Sequence, residues 1–222
     1  MRNGGAEKVI ATLSNEFSNA GHEVVIIMVS ENTNSSFYNL DKKVKLIALC
    51  ENQDHIRHNI FKKVQLLKIN IENEHPDIVV SFLKHIIVYS YFALKHLNIP
   101  FVVSERNYPR SYPFYYRLVL KLIFKKANGC VFQTKDSEKW YGVSKNKAII
   151  IPNPINVLCK NEEHKSKEKV IFSVGRLVKQ KNFKLLIKSF YIFSKEHPGF
   201  RLRIYGDGPL KARLNRLIRA KK

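Results

Sequence analysis

The chain reads as an α/β protein built on parallel sheets, and three observations predict this. Short apolar runs recur along its length with helix-spaced segments between them. Runs such as 24–29 and 101–104 are continuously apolar rather than alternating, as strands of a parallel sheet covered on both faces are. Turn residues punctuate the junctions, among them Gly21-His22, Pro76-Asp77, Pro152-Asn153-Pro154 and Gly206-Asp207-Gly208-Pro209.

Taken in order, Ala6, Val9, Ile10, Leu13 and Phe17 follow helical spacing, and Gly21 stops that helix. Residues 24–29 and 44–49 read as strands. Ile56, Ile60, Val64, Leu67 and Ile71 mark a second amphipathic helix. Pro76-Asp77 introduces a strand over 78–82, a helix covers 85–97, and Pro100 introduces a strand over 101–104. A helix over 112–128, a strand over 129–133, a short helix over 135–141 and a strand over 148–151 follow. The polar stretch 157–168 breaks the pattern and reads as a linker. Beyond it, strands over 170–174 and 201–205 alternate with helical segments, the last running from 210 to 222. The expected division is 1–158, a linker 159–168, and 169–222.

Composition narrows the function. A net charge of +21 favours phosphorylated substrates, polyanions or anionic membrane surfaces. No run of 18 apolar residues exists to span a membrane, and Met1 to Gly5 lacks a signal-peptide core. Cys50, Cys130 and Cys159, odd in number and widely spaced, read as buried thiols of a reducing compartment rather than disulfides or metal ligands. Gly-x-Ser-x-Gly, zincin and Cys-x-x-Cys motifs are missing, which removes support for hydrolase, metalloprotease and redox chemistry. Gly206-Asp207-Gly208 is too short for a dinucleotide fingerprint.

The richest stretch is Gly175-Arg176-Leu177-Val178-Lys179-Gln180-Lys181-Asn182, between a strand and a helix. Cations beside a helix N-terminus suit a diphosphate. An ordinary strand-to-helix turn with solvated cations fits the same spacing. Gly206-Asp207-Gly208-Pro209 closes the next strand, and open α/β sheets bind ligands at that edge.

In order along the chain, Asn3-Gly4-Gly5-Ala6-Glu7, Gly21-His22-Glu23-Val24, His75-Pro76-Asp77-Ile78, Ser104-Glu105-Arg106-Asn107, Pro152-Asn153-Pro154-Ile155, the 175–182 stretch and Tyr205-Gly206-Asp207-Gly208-Pro209 resemble glycosyltransferase family 4. The resemblance implies the GT-B fold, two Rossmann-like domains with parallel sheets facing a cleft. It implies retaining transfer of a sugar from a nucleotide donor, UDP-linked by family habit, to a glycan or lipid-linked acceptor. The Ser-Glu-Arg-Asn form looks like bacterial enzymes of surface polysaccharide synthesis, working in the cytoplasm and peripherally at the inner face of the cell membrane.

By the same resemblance Arg176 and Lys181 grip the donor diphosphate and stabilise the leaving group. Gly175, Gly206, Asp207 and Gly208 line the nucleotide, and Gly4 and Gly5 approach from the other domain. Glu105 or Arg106 stands where many relatives carry a histidine near the reacting sugar; Glu105 is the catalytic candidate. No cofactor and no metal are expected, and the sequence has no Asp-x-Asp pair. The family's opening strand before Gly4 and its paired glutamates downstream are missing from this sequence. Both domains are therefore expected to be incomplete, the edges beside the missing strand unpaired, and the chain inactive if it is the whole product.

Two further expectations concern partners. Arg117, Lys121 and Lys125 fall on one helical stripe, which suits either anionic lipid or a solvated flank of a core helix. A basic, non-enzymatic fragment binding nucleic acid or another polyanion is the alternative function. Against it, the aromatic residues sit in apolar runs rather than alternating with lysines.

Overall fold

The structure, a computed structural model, describes residues 4–29, 35–49, 59–154 and 168–220. The chain divides into two compact units, residues 1–156 and 157–222.

The first unit runs α1 (Gly5–Asn19), β1 (Val25–Met28), β2 (Lys45–Ala48), α2 (Ile60–Glu74), β3 (Val79–Phe82), α3 (Lys84–Ala93), β4 (Phe101–Ser104), α4 (Phe114–Lys126), β5 (Gly129–Phe132), α5 (Lys135–Tyr141) and β6 (Ala148–Ile150). The strands form a parallel pair β1-β2 and a parallel sheet in the order β3-β4-β5-β6. β1 and β3 each have one edge without a strand partner among the described residues.

Local chemistry sets the helix ends. The Asn59 side chain accepts the Lys62 amide to open α2, and His75 closes it in a left-handed conformation just before Pro76. Thr134 accepts the Ser137 amide to open α5, and Gly142, with φ 62°, closes it. Three boundaries differ from the sequence reading. Ile56, expected to begin the second helix, lies outside the described residues. The helix expected over 85–97 ends at Ala93, because the chain reverses through His96 in the left-handed region before Pro100. The helix expected from Tyr112 begins at Phe114; Pro109 to Ser111 form a separate 3-10 turn whose first carbonyl, Pro109 O, accepts the Tyr112 amide.

The core lies between the four-stranded sheet and helices α2 to α5. Val103, Leu120, Phe124 and Phe132 are wholly buried. The Phe124 ring stacks on Tyr141 at 3.9 Å between centroids and on Phe132 at 5.6 Å. Cys130 is buried here and its thiol is pushed up to about 11, chiefly by burial; Cys50 and Cys159 lie outside the described residues. A second cluster joins Ile26, Met28, Val44 and Ala48 with Ile10 of α1.

The expectation of sheets covered on both faces holds for β1-β2, where Ile26 and Met28 pack with α1 and Ile27 and Ile47 against the main core, and is corrected for the four-stranded sheet. Strand side chains alternate between faces, and Ser81 and Val103 are buried while Val80 and Ile149 stand 41% and 54% exposed. The crossover helices α3, α4 and α5 pack against one another along a single side.

The second unit runs β7 (Val170–Val174), α6 (Phe183–Glu196), β8 (Arg201–Tyr205) and α7 (Lys211–Arg219), with β7 and β8 parallel. Leu177, Phe183, Ile187 and Leu214 form its core, packed against Leu202 and Ile204. Phe172, Val174 and Tyr205 occupy the opposite face and are exposed.

The loops after β7 and β8 are joined by backbone hydrogen bonds. Gly175 N–H donates to Tyr205 O at 3.0 Å, Leu177 N–H to Asp207 O at 2.8 Å, and Leu210 N–H to Leu177 O at 3.1 Å. The contact is so close that a Cβ at Gly206 would lie 1.9 Å from Gly175 O, and one at Gly208 2.7 Å from Leu177 O. Gly206→Ala is therefore expected to force the loops apart at a cost of about 1–3 kcal/mol. Amide exchange at Gly175 and Leu177 should accelerate at least tenfold, whereas Gly5→Ala, whose Cβ would meet nothing within 4 Å, should leave it unchanged.

Candidate functional site

In the second unit, every candidate residue lies on the two loops at the carboxyl edge of β7 and β8. Arg176 and Lys181 are exposed, and neither forms an ion pair among the described residues. They flank the start of α6, whose first residue follows Asn182 in a left-handed conformation with no side-chain cap. Leu185 N–H donates to Asn182 O at 2.9 Å, which leaves the Phe183 and Lys184 amides without a backbone acceptor among the described residues, beside two exposed cations, an arrangement that attracts anions.

Gly206 and Gly208 are required by the approach of one loop to the other. Asp207 is exposed; its Oδ1 accepts the Gly208 amide at 2.6 Å and its Oδ2 pairs with Lys211 at 3.0 Å. The Lys211 hydrogen bond, then the Gly208 amide, lower its pKa. A Cβ at Gly175 would make only ordinary contact with Phe183. In the first unit, Gly4 precedes α1 without a side-chain cap, and a Cβ there would fall 2.0 Å from Glu7 Oε2, the end of a flexible side chain.

The first unit's richest chemistry lies at the carboxyl edge of β4. Glu105 is 3% exposed. Its Oε1 accepts the Tyr112 hydroxyl at 2.7 Å and the amides of Arg106 and Asn107, each at 2.9 Å. Its Oε2 accepts the Tyr141 hydroxyl. Burial, then the Glu105 charge, push both tyrosines well above the ordinary phenol range. A carboxylate enclosed by four donors in the interior holds a loop in place; it does not present itself to a substrate. The geometry thus turns Glu105 from catalytic candidate to positioning residue.

Arg106, the next residue, faces outward. Its Nη1 donates to Asn153 Oδ1 at 2.9 Å, and the same oxygen accepts Gln133 Nε2 at 2.6 Å. Its guanidinium carbon stands 5.2 Å from the Phe82 ring centroid. Burial alone lowers its pKa. Its Nε and the nearby Ser104 Oγ are buried without a hydrogen-bond partner.

His85 opens α3 at the same sheet edge, and burial, reinforced by Lys84 and Lys63, lowers its pKa and keeps it neutral at pH 7. The expected basic stripe on α4 is also corrected. Arg117 and Lys121 are half-buried, over the rings of Phe114 and Trp140. The exposed stripe is apolar: Phe114, Tyr115, Leu118 and Leu122 are each more than half exposed, beside exposed Lys125 and Lys126. Among the described residues no helix is long and apolar enough to cross a membrane, and no group of three His, Cys, Asp or Glu is placed to hold a metal.

Sequence reasoning missed Tyr112, Tyr141 and Gln133. A clue was a lone acid ending an apolar strand, because a buried carboxylate needs donors supplied from elsewhere.

Residues 3–157 match the family described as Glycosyltransferase Family 4, and residues 157–222 match glycosyl transferases group 1. An uncharacterized glycosyltransferase from Methanocaldococcus jannaschii is 30% identical over 165 residues, covering 65% of this chain and 40% of that protein. The chain spans about two fifths of the length of the curated relatives it matches. Among solved structures, Anabaena HepE in complex with UDP-glucose has a TM-score of 0.71 at 12% identity. The apo lipopolysaccharide outer core galactosyltransferase WaaB has a TM-score of 0.69 at 19% identity. Each covers 99% of this chain and has 62% of its own length matched. The fold is the mixed α/β, parallel-sheet architecture of GT-B glycosyltransferases.

The Glu105 network implies a defined response to base. The pKa values of Tyr112 and Tyr141 are raised in the folded state, so their contribution is complete below the unfolded phenol value of about 10 and is lost as pH rises above it. A spectrophotometric tyrosine titration should leave these two of the ten tyrosines protonated until the chain unfolds. Tyr141→Phe should reduce the slope of stability against pH above 10. A titration in which all ten ionise together in the folded chain would remove the basis for this reading.

Proposed function

The chain belongs to glycosyltransferase family 4, and from that premise we propose that its second unit holds the diphosphate of a nucleotide-sugar donor through Arg176, Lys181 and the open N-terminus of α6. One observation carries the reading: two cations without acidic partners among the described residues flank a helix start that has no side-chain cap, at a sheet's carboxyl edge. As the glycosidic bond breaks, negative charge grows on the departing nucleoside diphosphate, and fixed positive charge there lowers the barrier. With two cations at that point the step needs no metal.

The donor proposed is UDP-linked, transfer retains the anomeric configuration, and the acceptor is a glycan or lipid-linked sugar of surface polysaccharide synthesis. The UDP-glucose complex of HepE and the lipopolysaccharide role named for WaaB support the donor and acceptor classes; the family resemblance supports retention. Gly4 and Gly5 at the start of α1 are proposed to let the first unit's backbone reach the substrate, since a Cβ at Gly5 would meet nothing.

The exposed face of α4 supports docking on an anionic membrane, at the inner face of the cell membrane in this proposal. Phe114, Tyr115, Leu118 and Leu122 would enter the headgroup boundary while Lys125 and Lys126 meet the phosphates.

Calorimetric titration of UDP should show Arg176→Ala and Lys181→Ala each weakening binding on the order of tenfold to a hundredfold, as expected for loss of a charge-assisted contact. Unchanged affinity in both variants would overturn the diphosphate reading. Affinity that falls steeply with salt and ignores the nucleotide would favour the polyanion-binding alternative. Sedimentation with phosphatidylglycerol-containing vesicles tests the membrane contact: Leu118→Asp with Leu122→Asp should weaken binding at least about tenfold, given the apolar area lost. Equal binding by the variant and the parent chain would sink it.

A further inference from the structure

We propose that Arg106 is an anion-binding residue for the acceptor, taking a phosphate or carboxylate carried by that substrate. The inference rests on the first unit serving the acceptor and goes beyond it by naming the residue and the chemistry it reads.

Four observations point this way. First, the acid that would ordinarily neutralise Arg106 is withdrawn. Glu105 turns inward and is saturated by Tyr112, Tyr141 and two backbone amides. Second, nothing replaces it: among the described residues Arg106 forms no ion pair, and one of its five N–H donors meets an acceptor, Asn153 Oδ1. Its Nε is buried with no acceptor, a state that costs folding free energy unless something else compensates. Third, the guanidinium is held in position. Phe82 supports its face, and the Asn153 oxygen that receives it is itself fixed by Gln133. Fourth, a second unused polar group lies on the same sheet face. Ser104 is the register partner of Phe82, parallel register partners point to one side, and its buried Oγ has no partner.

A half-buried cation with fixed orientation and open donors, at the carboxyl edge of a parallel sheet, is a receptor for an oxyanion. The planar fork selects groups with two coplanar oxygens, which phosphate and carboxylate both offer. The loop carrying the guanidinium is tied down by the buried Glu105 network, so little ordering is needed on binding.

The test uses the chain carrying Arg176→Gln and Lys181→Gln, which removes the proposed diphosphate site as a competing receptor. Glycerol 1-phosphate, glucuronate and neutral galactose are each titrated while the Arg106 Nε–H resonance is followed by nuclear magnetic resonance, assigned by its loss in Arg106→Lys. A saturable shift with phosphate alone identifies a phosphate-bearing acceptor, and one with glucuronate alone an acidic sugar; either supports the proposal, as does a shift with both. Arg106→Lys, which keeps the charge and loses the fork, should weaken that binding at least tenfold by calorimetry. No shift with either anion, or an equal shift with galactose, overturns the proposal. So does an Arg106→Lys chain with a lowered melting temperature and unchanged anion affinity, which would mark a purely structural arginine. UDP affinity in an otherwise unaltered Arg106→Gln chain should stay at the parent value, so failure here and failure of the diphosphate reading remain distinguishable.

Discussion

The buried carboxylate of Glu105 governs the first unit's chemistry. It follows β4 directly and accepts hydrogen bonds from the 3-10 turn's neighbour Tyr112, from the last residue of α5, and from its own loop. Desolvating a carboxylate is costly, and without enough donors it would be expelled or protonated. Here four donors enclose it, so the requirement runs outward. Tyr141 must reach it, which places α5, and the Tyr141 ring can then stack on Phe124 and Phe132. Tyr112 must reach it, which fixes the turn before α4. The aromatic core and the sheet-edge loop are thereby set by one side chain.

The same carboxylate explains the contrast between adjacent residues. With its oxygens taken inward, Glu105 has none left for the neighbouring guanidinium. Among the described residues Arg106 therefore has no acidic partner; it lies over the Phe82 ring and is steadied by Asn153. A burial cost on the inner residue yields an available cation on the outer one. Of this pair, one residue is enclosed by the loop and the other stays half-exposed beside it.

Much of the fold was legible because parallel α/β chains announce themselves through continuous apolar strands and turn residues at the joints. Gly21, Pro76 and Pro100 mark junctions that the backbone confirms. The open faces at Val80, Ile149, Phe172 and Tyr205 were not legible, because an apolar strand looks the same whether its second face is covered or bare. The stripe on α4 was misjudged for a related reason. Periodicity places Arg117 and Lys121 on one face, but aromatic partners drew their long side chains over Phe114 and Trp140. Within the candidate sites, residue types singled out Glu105 and Arg106. Which of them faces inward depended on Tyr112 and Tyr141, seven and thirty-six positions away from Glu105, and no local pattern reveals partners so distant.

The glycines of the second unit serve a packing role that the motif alone does not reveal. Gly206 and Gly208 suggest room for a nucleotide, since bare backbone permits close approach. The approach they permit is that of the loop after β7, whose carbonyls occupy the space a side chain would need. The consequence for a ligand is indirect. Because the two loops are zipped together by Gly175, Leu177 and Leu210 amides, Arg176 sits between two anchored residues on a fixed frame. Substituting Gly206 should thus weaken diphosphate binding by releasing that frame, with no lost contact to the ligand. A defect of this kind would diminish in a variant that restores loop closure by other means, whereas loss of Arg176 would not.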